Sequence, residues 1–570
     1  MTLLVLLLAG PANAETAPSP AVLGPIGSRV GDGDRTSSTV AINVIPAGSR
    51  QEPLVRAALV DALARERAPR TLEEVDAWSQ SLTAALRAGG FPIGQVLMTE
   101  MDWANAQRTG HTVFTAFPGR VSAIQLVNES QVKDERLEKL IARALCEYES
   151  LDVRALSGSE RREQGGDPVS TCLFETRRFE RTTQLLQDLP GVALAGAPRF
   201  GPGAGAGDVE VSFAITSKGK PVSLDAMVDN NGMEATGRTR FTVSARGNNR
   251  LGLGEDYAAS ATVTTEGMWT GALTGSIPVF SDGLRLAGGF TRQQYTVNAV
   301  GTRVAGTANI ISAGATYPFA RGLDFNLWGG ASYLHSETEI EFTDFNFATH
   351  GQIDGLKLSL SGNSGDRAQQ LRTSLWSASS ALTFGRQDND DPLDIGPRRA
   401  GRYAKLSGSG FGRLMLNESN DLFATLGASG QWANRNLDPS EQLMLGGPGA
   451  VRAYRTDEGS ADEGLILSLG MYKRLAIAKG HQLQLGPIAD FAYARVNADP
   501  WLNWEQSYVG IPDVSNTRKL AGYGLELAWL TPIGATLSLT AAKPFGFSDG
   551  SWVELGDRST QTWLSLSWRQ

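Results

Sequence analysis

Arg452 stands inside LGGPGAVRAYRTDEGSADEG, a glycine-rich, charge-dense stretch at residues 445–464 set between two runs that alternate apolar with small or polar residues. A guanidinium is charged at any accessible pH and presents a planar fork of donors, so its natural chemistry is a two-pronged bond to a carboxylate. The flanking Val451, Ala453 and Tyr454 would give such a bond an apolar setting that a free surface loop does not need. Read from the residues alone, the alternative is an arginine in solvent.

Other chemistry-bearing groups are sparse. The Gly219, Lys220 pair is followed by Pro221 instead of Ser or Thr and lacks the spacing of a phosphate loop. GPGAGAG at 201–207 lies between two strand-like runs and reads as a hairpin turn rather than a nucleotide fingerprint. His111, His335, His350 and His481 are too far apart for a local metal motif, so no metal or other cofactor is expected. Asp457, Glu458, Asp462 and Glu463 lack calcium-loop spacing and read as a solvated acidic loop. Nothing here is the constellation of an enzyme.

Partners of Arg452 can be sought by pleat parity. In HQLQLGPIADFAY the odd positions Leu483, Leu485, Phe491 and Tyr493 share one face and the even positions Gln482, Gln484 and Asp490 the other. Asp490 is therefore a candidate acid on the polar face, and Glu526 in YGLELAW is a second by the same parity.

The elements that must position these residues change character along the chain. The start, MTLLVLLLAGPANA, has an apolar core and a small-x-small end at Ala12 and Ala14, which predicts a signal peptide over 1–14 and export. No Lys or Arg precedes the apolar run, which fits a truncated start, and a buried N-terminal helix is the competing reading. Residues 15–39 are rich in Pro, Gly, Ser and Asp and read as a linker. From residue 40 to 217 one pattern occurs twice: VAINVI, helical EPLVRAALVDALARE and TLEEVDAWSQSLTAALRAGGF, then IGQVLMTEM and HTVFTAF as strands; VSAIQLV, helical DERLEKLIARAL and FETRRFERTTQLLQDLPGV, then VALAGAPRF and DVEVSFAIT. This is a repeated β-α-α-β-β unit, over 40–120 and 121–217.

From about residue 221 to Gln570 the helical period disappears and period two takes over, as in FTVSA, LRLAGGF, LDFNLWGGASYL, LFATLGASGQW, LILSLGMY, TLSLTAA and TWLSLSW. No run of about 18 apolar residues follows Ala14, so a membrane role requires a β-barrel rather than a helix. The 350 residues of this region allow about 22 residues per strand for a barrel of about 16 antiparallel strands. Leu564, Leu566 and Trp568 put large apolar groups on one face of the last strand, which must close the barrel and face lipid. A soluble β-sandwich with one solvated face is the alternative that patterning leaves open.

Composition agrees with export. A net charge of −8 excludes a general nucleic-acid binder, which needs a basic field. Cys146 and Cys172, with 25 residues between them, could close as a disulfide in an oxidising compartment or remain two buried thiols.

At this point the chain resembles a family, the outer-membrane transporters of two-partner secretion of the haemolysin-activator type. The resemblance rests on the order of the segments, on PGRVSAIQL at the junction of the repeated units, on VDNNGMEATGRTRFTVSARGNNRLGLGEDY and TYPFARGLDFNLWGGASYL in the barrel region, and above all on VRAYR. The family has Val-Arg-Gly-Tyr there, so Ala453 replaces a glycine, and any positive φ at this position would be carried less comfortably. The resemblance implies periplasmic POTRA repeats (POTRA 1 over 40–120, POTRA 2 over 121–217) and an all-β transmembrane barrel of about 16 strands over 221–570 in the Gram-negative outer membrane. It further implies a loop folded into the lumen with Arg452 latched to an inner-wall acid. In the family's Phe-x-Asp-x-Gly pattern an ungapped match puts Ala492 in the acid slot, with Asp490 one pleat away and Glu526 as the alternative partner. The implied function is export, without nucleotide hydrolysis, of a secreted exoprotein of β-helical haemolysin or adhesin type; the implied partners are outer-membrane lipid and the barrel-assembly machinery, the latter reading the C-terminal strand. A barrel-assembly insertase and a passive porin are the other classes. Members often begin with a helix that plugs the barrel, whereas Pro18, Pro20 and Pro25 leave little room for one here.

Overall fold

The computed structural model describes residues 40–45, 47–49, 51–65, 68–146, 154–155, 172–203, 205, 207–299, 302–456, 459–507, 515–545 and 559–570. The expected signal peptide, linker and weak plug, and Asp457 and Glu458 of the acidic loop, lie outside these residues. The chain divides into two compact units.

The smaller unit is built on a three-stranded sheet in which Thr112–Phe117 is central, parallel to Val40–Val44 and antiparallel to Gln95–Leu97. Helix Leu72–Ala88 covers it because Val75, Trp78, Leu82 and Leu86 recur at helical spacing and form its buried stripe. Thr71 caps this helix by accepting from the Glu74 amide, and Trp78 stacks on Phe114 with centroids 5.8 Å apart. One expectation fails: IGQVLMTEM is not one strand. Only Gln95–Leu97 pairs, and helix Glu100–Thr109 begins where the strand was expected to continue. The cause is a capping box, in which the Thr99 hydroxyl accepts from the Asp102 amide and the Asp102 carboxylate accepts from the Thr99 amide; Gly110, at φ +72, ends the helix.

A second sheet runs in the order Arg154–Ala155, Arg120–Glu129, Asp208–Ser217, Val192–Leu194, and Arg199–Pro202 also pairs with Asp208–Ser217. Helices Asp134–Cys146 and Thr176–Gln187 accompany it. Both cysteines, the only two in the chain, are disulfide-bonded, so Cys146 is joined to Cys172.

Among the described residues, sixteen antiparallel strands close a barrel in chain order, from Val222–Asp229 to Gln561–Arg569. The last strand pairs with the first from Ser565↔Asp229 to Arg569↔Asp225, a shorter ladder than Ala535↔Trp568 to Ala542↔Gln561 on its other side. Leu564, Leu566 and Trp568 are exposed on the outer face, as are Leu356, Leu358 and Leu360 on another strand. An apolar residue at every second position is thus left outward for lipid. Several strands far exceed the length that crosses a bilayer; Thr302–Arg321 has 20 residues. Among the described residues no helix is long and apolar enough to cross a membrane.

Candidate functional site

The loop that carries Arg452 leaves the barrel between strands Leu422–Ala433 and Glu463–Ala478 and is rooted in a short ribbon pairing Leu443–Met444 with Ser460–Ala461. Backbone bonds then tighten it into a knot: Val451 N donates to Leu445 O at 3.0 Å, Gly447 N to Tyr454 O at 2.9 Å and Tyr454 N to Val451 O at 3.1 Å. Two glycines are obligatory here. A Cβ on Gly446 would fall 2.2 Å from the Arg455 carbonyl oxygen, and Gly447 holds φ +100, a region open to glycine. Ala453 is not among the residues with positive φ, so the strain expected at that substitution is absent.

The knot delivers Arg452 to the inner wall. Its Nε and Nη2 donate to the two Asp490 carboxylate oxygens at 2.9 and 2.7 Å, and its own backbone amide donates to Asp490 Oδ2 at 3.0 Å. Nη1 donates to Glu526 Oε2 at 2.7 Å, and the Tyr472 hydroxyl donates to the same oxygen at 3.2 Å. The two acids considered as alternatives are thus joint partners. They are unequal, since the Asp490 side chain is 1% exposed and that of Glu526 25%. Register explains the grouping: Asp490 lies opposite Ser468 and Gly522, and Glu526 opposite Gly486, so both acids project from the inner face of adjacent strands.

Around Asp490 the inner wall is dry, while the Glu526 side keeps some exposure. Val451, Ala453, Leu445, Ile466, Ile488, Ala492, Ala494 and Leu520 form a buried apolar cluster around the ion pair, with Phe423 and Tyr472 stacked at 5.5 Å on its edge. Ala492, in the slot where the family pattern has its acid, contributes a methyl to this cluster, and the carboxylate comes from the neighbouring inward position. Burial strengthens a fully hydrogen-bonded charge pair and makes breaking it costly.

Trp563, which the sequence did not single out, joins the site from the last strand. Its Nε1 donates to the Arg452 carbonyl at 2.7 Å, and Arg238 lies over its ring at 6.0 Å. The loop also reaches the first barrel hairpin, where Thr456 Oγ1 donates to Asn231 O at 3.0 Å and Arg455 pairs with Glu234. Beside these contacts Asn230 extends the seam with its side chain, Nδ2 donating to Thr562 O at 2.9 Å and Oδ1 accepting from the Leu564 amide at 2.8 Å. The loop therefore touches the last strand, at Trp563, and the turn that follows the first strand, at Asn231 and Glu234, on the two sides of the barrel's closing seam. Paired tryptophans in TWLSLSW, one on each face, were the available signal.

Asp462 overturns the reading of a uniformly solvated acidic loop. It is fully buried and accepts from the Leu437 amide at 3.1 Å, Gln442 Nε2 at 2.9 Å and the Ala498 amide at 2.9 Å, so it ties the root of the loop to a neighbouring one. Burial raises its pKa from the ordinary aspartate value against the pull of these donors. Glu463 faces Arg495 at 3.4 Å. Among the described residues no group of three or more His, Cys, Asp or Glu is placed to hold a metal ion.

Comparison with known proteins places this geometry. The sequence model of the family described as "Haemolysin secretion/activation protein ShlB/FhaC/HecB" matches residues 207–491. The chain is 21% identical over 405 residues to the heme/hemopexin transporter protein HuxB of Haemophilus influenzae (strain 86-028NP), covering 70% of this chain and 68% of that one. Its fold is similar to CdiB from Escherichia coli, with a TM-score of 0.70 at 15% identity over 99% of this chain and 94% of the other. It is also similar to CdiB from Acinetobacter baumannii, with a TM-score of 0.67 at 13% identity over 93% and 89%.

Proposed function

The chain belongs to the ShlB/FhaC/HecB haemolysin secretion/activation family, whose work is the export of a partner exoprotein through an outer-membrane barrel, and on that premise we propose how its parts divide this work. The barrel of residues 221–570 is the conduit. Residues 40–120 and 121–217 act as POTRA domains in the periplasm, following a signal peptide at 1–14 and a linker at 15–39. Their open sheet edges accept extended segments of the cargo by main-chain pairing, which tolerates many sequences. The Arg452 loop is the latch of the conduit: held by Asp490 and Glu526 it occupies the inner wall, and its position decides whether a chain passes. The proteins that leave by this route are secreted exoproteins of β-helical haemolysin or adhesin type. Leu564, Leu566 and Trp568 present the last strand to the barrel-assembly machinery.

No catalytic step is assigned to the chain, and no nucleotide drives it. Direction comes from folding of the cargo outside the cell. The observation that carries this reading is the buried pair of Arg452 with Asp490 at the tip of an inward-folded loop in a closed barrel. The test is co-expression of the chain, in an outer-membrane host, with a large β-helical exoprotein where a neighbouring reading frame encodes one. The exoprotein should appear in the medium only when the chain is present; its retention in the periplasm beside a correctly assembled barrel would defeat the reading.

A further inference from the structure

Arg386 and Arg402 stand directly opposite each other on neighbouring strands Leu375–Asn389 and Gly401–Met415. Both are exposed and share the parity of Trp376, Phe384 and Leu406, the lipid-facing residues of these strands, so both arginines point away from the lumen. Like charges directly opposite each other weaken a sheet unless something neutralises them.

The nearby acids are already engaged. Asp388 takes the Arg386 Nε at 2.8 Å. Asp354, opposite Arg386 on its other side, accepts from the Tyr333 hydroxyl, from Gln352 Nε2 at 2.9 Å and from His335 Nδ1 at 2.8 Å when that nitrogen carries the proton. Asp390 is held by His350. Behind the pair, Arg435 lays its guanidinium against backbone carbonyls, Nη2 donating to Ala400 O at 2.7 Å and Nη1 to Arg402 O at 3.2 Å. Among the described residues no carboxylate pairs with Arg402 or Arg435. Arg402 and Arg435 thus stand without a paired acid among the described residues of a chain of net charge −8, beside an Arg386 that has one.

The height of that point on the wall is informative. Strand Leu375–Asn389 follows the short helix Gly365–Gln370, whose Asp366 pairs with Arg321, and Arg321 in turn holds Asp188 of the N-terminal region. Its lower end therefore adjoins the N-terminal elements. The outward apolar residues run from Trp376 to Phe384, eight steps of about 3.4 Å, which for a tilted strand is close to the height of a barrel's apolar band. Arg386 comes next on the same face, at the far edge of that band. If the N-terminal units lie in the periplasm, as proposed above, this edge is at the headgroups of the outer leaflet.

We propose that Arg386 and Arg402, with Arg435 behind them, form a site on the outer wall for the phosphate headgroup of an anionic glycolipid of the outer leaflet. The guanidinium fork matches phosphate oxygens bidentately, and a phosphate between the two arginines would remove their repulsion. The acyl chains would descend over Phe384, Leu406 and Trp432, the last directly opposite Leu406 in the register. Basic residues placed beside a membrane's headgroup layer are how proteins select anionic lipids.

The experiment uses the purified full-length chain in neutral detergent, titrated with bisphosphorylated lipid A and followed by native mass spectrometry. Saturable binding is expected, weakened roughly tenfold in R386Q/R402Q, the size of one lost charge-assisted contact. Equal binding of dephosphorylated lipid A, or unchanged binding by the double variant, would overturn the site. Displacement by inorganic phosphate at matched concentration would assign the arginines to free anions and overturn the lipid assignment. Heat-modifiable migration on gels reports folding of the variants, and the single R402Q, whose side chain has no acidic partner to lose, serves if the double fails it. Binding is read without any cargo, so a failed export assay leaves this result untouched; lipid binding that persists in R386Q/R402Q leaves the export reading untouched.

Discussion

Gly522 lies directly under Ala453: a Cβ placed on Gly522 would fall 2.3 Å from the Ala453 Cβ. The methyl that this chain carries where the family has glycine is accommodated by a glycine on the wall, and that glycine is opposite Asp490 in the register. Gly522→Ala should therefore lift the loop tip off the carboxylate, at an overpacking cost of about 1 to 3 kcal/mol. Export should fall while the barrel still assembles. Ala453→Gly in the same chain should restore it, because the removed methyl returns the space. Quantifying secreted partner in the medium of wild type, Gly522→Ala and the Gly522→Ala/Ala453→Gly double variant checks this; no rescue by Ala453→Gly would show that the contact does not position the loop.

Trp563→Phe keeps one aromatic ring but removes the donor to the Arg452 carbonyl together with the five-membered ring of a buried indole. The loss of one neutral hydrogen bond, about 1 kcal/mol, should fall on the seam, which has a short ladder and relies on the loop contacts at Thr456 and Arg455 for support. The temperature at which the folded band converts to the unfolded one on a gel should drop, whereas Trp529→Phe, on another strand, should leave it unchanged.

Much of this site was legible in the residues. Period two marked the barrel, and pleat parity put both Asp490 and Glu526 on the inner face. What parity could not say was that one guanidinium reaches both, since that depends on the height at which the loop enters. Trp563 was hidden because Leu564, Leu566 and Trp568 made the other face of its strand the conspicuous one. Asp462 was misjudged for a similar reason: its three donors come from residues up to 36 positions away, and burial created by converging loops leaves no local pattern. Strands such as Asp256–Thr264 and Trp269–Pro278 had no individual signature, because small residues such as Ala, Ser and Thr fill most of their positions. In Glu100–Thr109 the local capping box overruled an apparent alternation.

Arg321 makes a second charge network, with Asp188 bidentate at 2.7 Å and Asp366 at 2.9 Å, and its side chain is 6% exposed. Arg321→Ala would leave two acids without their partner, but both are about one-third exposed, so the local cost should be about 1 to 3 kcal/mol, below that of a fully buried pair. The expected result is faster proteolytic cleavage around helix Thr176–Gln187 with an intact barrel band. An unchanged cleavage pattern would mean that Asp188 is held by other contacts.

The latch itself is tested most directly by measuring export in Arg452→Ala, Asp490→Ala, Glu526→Ala and the Arg452→Ala/Asp490→Ala double variant, with barrel folding followed in parallel. Removing one partner of a buried pair costs about 3 to 5 kcal/mol, and strand pairing around the whole barrel should absorb it without unfolding. Arg452→Ala and Asp490→Ala should each remove most export, the double variant should be no worse than either single, and Glu526→Ala should be milder because its carboxylate keeps solvent contact and makes one bond to the arginine. Wild-type export by a folded Arg452→Ala barrel would contradict the latch.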